Sequence, residues 1–238
     1  MSKFKLQKGL IHYYYGDGVG KTTSTFGTML RSIGHGLKPI VIQFLKKSIQ
    51  NENINLEINQ FKNLEVDISD LIEKFKSIIN LDNELNLKMK NDKINSEYSI
   101  EQFSRKGFLY GDYITITELL KVPVIQLGTP EFILPNEKPS IKQKLMAQLG
   151  LELIERLLNS DSYDFIILDE IATAIQFNLI DKGKLIQILT NRFPTIEIFL
   201  TGREYIPELA DIADYITEFK KIKHPFDKGI LARKGIEF

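Results

Sequence analysis

The segment Tyr15-Gly16-Asp17-Gly18-Val19-Gly20-Lys21-Thr22-Thr23 combines glycines, a lysine and two threonines in an order suited to gripping a polyphosphate. Glycines let a backbone turn tightly and aim successive amides inward. A helix starting near Lys21 adds the partial positive charge of its N-terminus. Lys21 supplies a point charge to the phosphates, and the Thr22 hydroxyl can ligate magnesium. The usual P-loop pattern G-x-x-x-x-G-K-[ST] asks for glycine at position 15, where this chain carries tyrosine. A dinucleotide loop fits less well. G-x-G-x-G-K lacks its spacing, and Gln43 and Phe44, not an acid, end the next apolar run.

A second cluster lies in Phe165-Ile166-Ile167-Leu168-Asp169-Glu170, an apolar run ending in two carboxylates. In P-loop proteins an acid at this place stands close to the magnesium. Asp169 or Glu170 would hold the ion directly or through water, although an acid also suits a helix N-cap. Beside Lys21 and Thr22 the metal role is favoured. Thr201-Gly202-Arg203 ends the following apolar run, and Arg203 is either a phosphate ligand or a solvated loop arginine. His12, His35 and His224 are scattered without ligand spacing and are read as structural. There is no G-x-S-x-G elbow and no further pair of catalytic carboxylates. A phosphate grip and a metal remain, so the reacting partner must bring its own nucleophile or water.

These residues need a scaffold that brings them to one edge. Gly9 to Tyr15, Pro39 to Phe44, Val122 to Leu127, Asp164 to Asp169 and Thr195 to Thr201 are short apolar runs read as buried strands, with Tyr215 to Phe219 a sixth. Helices fall between them. Lys21 to Ile33 stops near Gly34 and Gly36, and Ser140 opens a capping box with Gln143 ahead of an amphipathic stretch. Apolar strands alternating with helices predict an α/β fold, a parallel sheet covered on both faces that binds ligands beyond its carboxyl edge. Residues 46–121 differ, being rich in Asn, Lys and Glu. Leu64, Ile68, Leu71, Ile72, Phe75 and Ile79 still mark a helix face there, so this span is expected to be a helical insertion after the second strand of one domain, 1–238.

Composition narrows the class. The 238 residues suffice for one sizeable core, and the formal net charge is zero, which gives no general attraction to nucleic acid or anionic lipid. There is no cysteine, which removes disulfides and thiolate chemistry. No apolar run has the length of a membrane helix or a signal peptide. A cytoplasmic protein, with neither nucleic acid nor membrane as partner, is expected.

With these features in place the chain resembles the P-loop type of ATP:corrinoid adenosyltransferase. The resemblance runs from Gly9-Leu10-Ile11 through GDGVGKTT, Phe26-Gly27-Thr28, Arg31, Gly34-His35-Gly36 and Gln43-Phe44. It resumes at Leu127-Gly128 and LDEI, and is densest from Arg192 onward in TGR, PELADIADYITEFK, KHPFDKGI and GIEF. The family's loop likewise has its glycine at the position of Gly16. The resemblance implies a RecA-related sheet, usually in a homodimer, that transfers the 5′-deoxyadenosyl group of ATP to the cobalt(I) of a corrinoid and releases triphosphate. Cobalt(I) is the nucleophile, which agrees with the lack of a protein base. By resemblance Lys21 and the loop from Gly16 to Thr23 hold phosphate and Arg31 belongs to the nucleotide site. Thr22 and Glu170, with Asp169, hold magnesium or manganese in its place. Phe132 is the apolar wedge that keeps the lower cobalt face free.

The chain departs from that pattern in four ways. Val19 replaces a lysine, Thr129-Pro130-Glu131-Phe132 replaces a tryptophan-bearing stretch, few residues precede the first strand, and the 46–121 insertion is foreign. They motivate the alternative of a non-catalytic ATP or corrinoid carrier or regulator, with a reductase or acceptor enzyme docking on the insertion. An ordinary P-loop ATPase is a third reading, and Gly16 stands where that class has a second lysine.

Overall fold

The computed structural model describes residues 4–46, 58–62, 64–89, 110–129, 133 and 138–237, with the backbone alone for 81–89. Among them six strands form one sheet: β1 (Ile11–Tyr15), β2 (Pro39–Phe44), β3 (Val124–Leu127), β4 (Phe165–Asp169), β5 (Glu197–Thr201) and β6 (Tyr215–Glu218). All pairs are parallel, in the order β3-β2-β4-β5-β1-β6. Strand β5 thus separates the glycine-loop strand β1 from the acid-ended strand β4, the arrangement of a RecA-like P-loop fold.

Two apolar layers sandwich the sheet, because side chains alternate across a strand. Phe165 and Ile167 of β4 face one layer, which includes Phe26 and Met29 of α1 (Lys21–Gly34) and Phe199 of β5. Ile166 and Leu168 face the other, beneath Met146, Leu153, Ile154 and Leu157 of α4 (Ile141–Leu158). Ser140 caps α4 through the expected box, its hydroxyl accepting from the Gln143 amide and its own amide donating to the Gln143 side chain. Strands β1, β3, β4 and β5 begin one or two residues later than their apolar runs, while β2 and β6 begin where the runs do. Pro123, lacking an N–H, contributes only its carbonyl, to the Val41 amide at 3.0 Å.

In the 46–121 span the long helix is α2 (Ser69–Met89). Leu64 and Ile68 precede it rather than lying on it, since the Asp67 carboxylate accepts from the Ser69 amide and hydroxyl and starts the helix there. Leu71, Phe75, Ile78 and Ile79 are buried and join the same core as α4. At the rim Arg156 of α4 makes two bonds of 2.6 Å to Asp70. A short helix α3 (Gly111–Ile114) continues into a π-helical turn, Thr115–Leu119, which buries Ile116. The remaining helices are α5 (Ile171–Gln176), α6 (Lys182–Thr190) and α7 (Pro207–Ile212). Among the described residues no helix is long and apolar enough to cross a membrane.

Candidate active site

The carboxyl ends of β1, β4, β5 and β2 converge, and the sequence clusters meet there. Helix α1 has no side-chain cap and no acid in its first turn, and its first backbone bond is Ser24 to Gly20 at 2.8 Å. The amides of Lys21, Thr22 and Thr23 therefore have no acceptor within the helix. With the helix dipole behind them they form an anion site. The Lys21 ammonium donates to the carbonyls of Gly16 and Gly18 at 2.7 and 2.8 Å, directly over the loop. Burial lowers its pKa, with Arg203 adding to the effect and Glu170 opposing it.

Two loop amides are bonded to backbone carbonyls. Gly16 donates to the Arg203 carbonyl at 2.9 Å and Gly18 to the Phe219 carbonyl at 2.6 Å. Gly16 has φ of 115°, and a Cβ there would stand 2.4 Å from the Phe219 oxygen, so neither conformation nor space admits a side chain. Asp17 is exposed and accepts from the Lys221 amide at 2.9 Å. Val19 is exposed at 71%.

Asp169 is the centre of the polar network. Its carboxylate is fully buried, and Oδ1 accepts from the hydroxyls of Thr22 and Thr201, each at 2.8 Å. Oδ2 accepts from Gln43 at 3.0 Å and from the Lys46 ammonium at 2.6 Å. A buried carboxylate without such partners would not stay charged. Burial pushes the Asp169 carboxyl up, but Lys46 and the two hydroxyls outweigh it and hold it below the ordinary value. The same balance raises the Lys46 ammonium: burial opposes the charge, and Asp169 and Glu170 prevail.

Sheet register explains why these residues meet. Gln43 is the partner of Asp169 across β2 and β4, and of Gln126 across β2 and β3, so a polar row crosses three strands at one level. Gln126 Nε2 donates to Gln43 Oε1 at 2.9 Å, which fixes the Gln43 amide with its NH₂ toward Asp169.

Glu170 adopts a left-handed conformation with φ of 60°. For a non-glycine residue this costs on the order of 1–2 kcal/mol. Its amide donates to Thr201 Oγ1 at 2.8 Å, and its carboxylate accepts from the Thr173 hydroxyl at 2.6 Å. Thr201 thus joins the two acids by serving both at once.

The structure brings Gly16, Gly18, Gly20, Lys21, Thr22, Asp169 and Glu170 to one edge. The Arg203 side chain is exposed at that edge, and its amide donates to Thr173 at 3.2 Å. Thr23 is exposed on the first turn of α1. Arg31 is not brought to the loop: it is exposed near the other end of α1, about 15 Å along the axis at 1.5 Å per residue. Phe132 lies outside the described residues, as do Pro130 and Glu131. Lys46, Gln43 and Thr201 were not singled out from sequence as site residues. The signal available was a lone polar residue near or just past the end of an apolar run.

The three histidines make local contacts of their own. His12 stacks between Phe199 and Tyr215 at 4.1 and 4.5 Å and bonds Glu197 at 2.6 Å. His35 ends α1, and His224 accepts from Phe226 at the start of a 3₁₀ turn.

Thr22, Thr201, Asp169 and Glu170 offer only oxygen, the donor set of a hard divalent cation. Among the described residues no group of three or more His, Asp or Glu side chains is placed to hold a metal ion. An ion here would draw its remaining ligands from phosphate and water, as magnesium does in nucleotide sites.

The chain matches the family model of the ATP:corrinoid adenosyltransferase BtuR/CobO/CobP over residues 7–96 and 85–238. It is 26% identical over 233 residues to a corrinoid adenosyltransferase of Sinorhizobium sp, covering 98% of this chain and 81% of that protein. To the corrinoid adenosyltransferase of Escherichia coli K12 it is 24% identical, covering 98% and 87%. The corrinoid adenosyltransferase CobA of Salmonella typhimurium LT2 shows the same 24% over 98% and 87%.

Proposed function

The chain belongs to the ATP:corrinoid adenosyltransferase family, and from that premise we propose how its own residues carry the transfer of the 5′-deoxyadenosyl group of ATP to cobalt(I) of a corrinoid. The observation that carries the proposal is the uncapped N-terminus of α1, with Lys21 over the loop and the Thr22–Asp169 pair beside it.

The cobalt(I) substrate attacks C5′ with its own electron pair. The C5′–O bond breaks, triphosphate leaves with the bonding pair, and the cobalt becomes formally cobalt(III). No proton moves at C5′, so the chain needs no base. Its task is to align C5′ with cobalt and to stabilise negative charge gathering on the leaving triphosphate. Lys21 and the amides of the first α1 turn take the phosphates. Thr22, Asp169 and Glu170 hold magnesium, which supplies further charge neutralisation to the triphosphate when bound. Arg203, exposed at the same edge, adds a guanidinium. Cytoplasmic action and a homodimer complete the proposal by family resemblance. The exposed edge strand β6, with Tyr215 and Ile216 open to solvent, is consistent with a partner on that side.

The test is an anaerobic absorbance assay with chemically reduced cobalamin, ATP and magnesium, run for wild type and Lys21→Ala. Light-sensitive alkylcobalt product, matched by triphosphate and lost in the variant, is expected. Absence of product from wild type would overturn the proposal.

A further inference from the structure

Four donors saturate the Asp169 carboxylate, and one of them is a cation. Thr22 and Thr201 occupy Oδ1, while Gln43 and Lys46 occupy Oδ2. A carboxylate offers about four acceptor directions. A metal ion that reaches Asp169, directly or through water, therefore has to replace one donor. Thr22, Thr201 and Gln43 sit inside α1, β5 and β2. Lys46 lies beyond the end of its strand on a flexible stem, with its side chain 22% exposed. Its ammonium is also 3.3 Å from Thr22 Oγ1. It stands between the same hydroxyl and carboxylate that hold magnesium in the reading above.

Two backbone features aim this lysine. Leu45 has φ of 59°, a left-handed turn that sends the chain back toward the sheet edge. The Lys46 carbonyl accepts from the Gly128 amide at 3.1 Å, and a Cβ at Gly128 would meet the Lys46 main chain at 2.5 Å. With Lys21 over the loop, two lysines face Asp169 and Glu170 at the sheet edge.

We propose that Lys46 is a tethered cation at the metal position. It keeps divalent metal out of the nucleotide-free protein and yields when the metal arrives with triphosphate, whose negative charge gives the displaced ammonium a new partner. Lys46 is then a positioning residue that couples metal binding to nucleotide binding. This rests on the magnesium–triphosphate reading of the site.

Equilibrium dialysis with Mn²⁺ tests it, with and without ATP, on wild type, Lys46→Met and Lys46→Arg whose folding is checked by thermal melting. Wild type is expected to retain Mn²⁺ weakly alone and strongly with ATP. Lys46→Met should bind Mn²⁺ without nucleotide roughly tenfold more tightly than wild type, because a like charge has been removed from the site, and Lys46→Arg should follow wild type. A folded Lys46→Met no tighter than wild type would overturn the proposal. So would wild type binding Mn²⁺ equally well with and without ATP, a result that needs no variant. Wild type that binds ATP by calorimetry yet never retains Mn²⁺ would remove the magnesium reading itself, and the proposal with it.

Discussion

The amide of Gly18 donates to the carbonyl oxygen of Phe219 at 2.6 Å, which anchors the phosphate loop to the far end of the chain. The Phe219 amide in turn donates to Tyr15 at 2.8 Å, and Lys221 to Asp17 at 2.9 Å. The loop is therefore held from outside by the segment after β6, while its inner amides stay available. A loop fixed before ligand arrives has less ordering entropy to lose on binding.

That anchoring makes Gly16 a stability residue as well as a loop residue. Gly16→Ala combines a positive φ with a Cβ 2.4 Å from the Phe219 oxygen. A loss of about 1–3 kcal/mol is expected, read as a lowered thermal midpoint, together with weaker ATP binding by calorimetry.

Asp169→Asn removes the charge that balances Lys46. The lysine keeps some solvent contact, so a loss of about 1–3 kcal/mol in urea unfolding is expected, below that for a fully buried pair. Adenosylation should fall by on the order of 10²-fold, since the side chain also orients Thr22.

Thr201→Val keeps the shape and removes one hydroxyl that donates to Asp169 and accepts from Glu170. The strained Glu170 amide loses its acceptor. About 1–3 kcal/mol of stability should go with it, and the apparent magnesium requirement of the adenosylation assay should rise.

Tyr13 supplies a pH signature. Its phenol is fully buried, and burial raises its pKa from 10.0 to about 12 despite the hydrogen bond from the Ile206 amide. The folded protein keeps a proton that the unfolded chain has released. Stability should therefore decline as pH climbs from 10 toward 12, by up to about 1.4 kcal/mol per pH unit from this group. Urea unfolding across that range checks the slope, and Tyr13→Phe should make it shallower.

Much of this was legible in the sequence because it was local. GDGVGKTT, the apolar strands and the Ser140–Gln143 box act through neighbours a few residues apart, so spacing alone reports them. Lys46 and Arg31 mark where that reasoning stopped. Lys46 sits in an Asn- and Lys-rich stretch that reads as surface, yet the left-handed turn at Leu45 sends it to Asp169. Arg31 belongs to a familiar run of residues, but ten positions along a rigid helix carry it away from the loop.

Short-range sequence signals account for the parallel α/β class, the glycine loop and the acidic strand end, since each follows from periodicity or from residue types in one short segment. Only the tertiary structure decided the strand order, and with it the row Gln126–Gln43–Asp169 and the bridge from Thr201 to both acids. Those contacts join residues between 31 and 126 positions apart. Sheet register, which no local propensity encodes, brings them to one level.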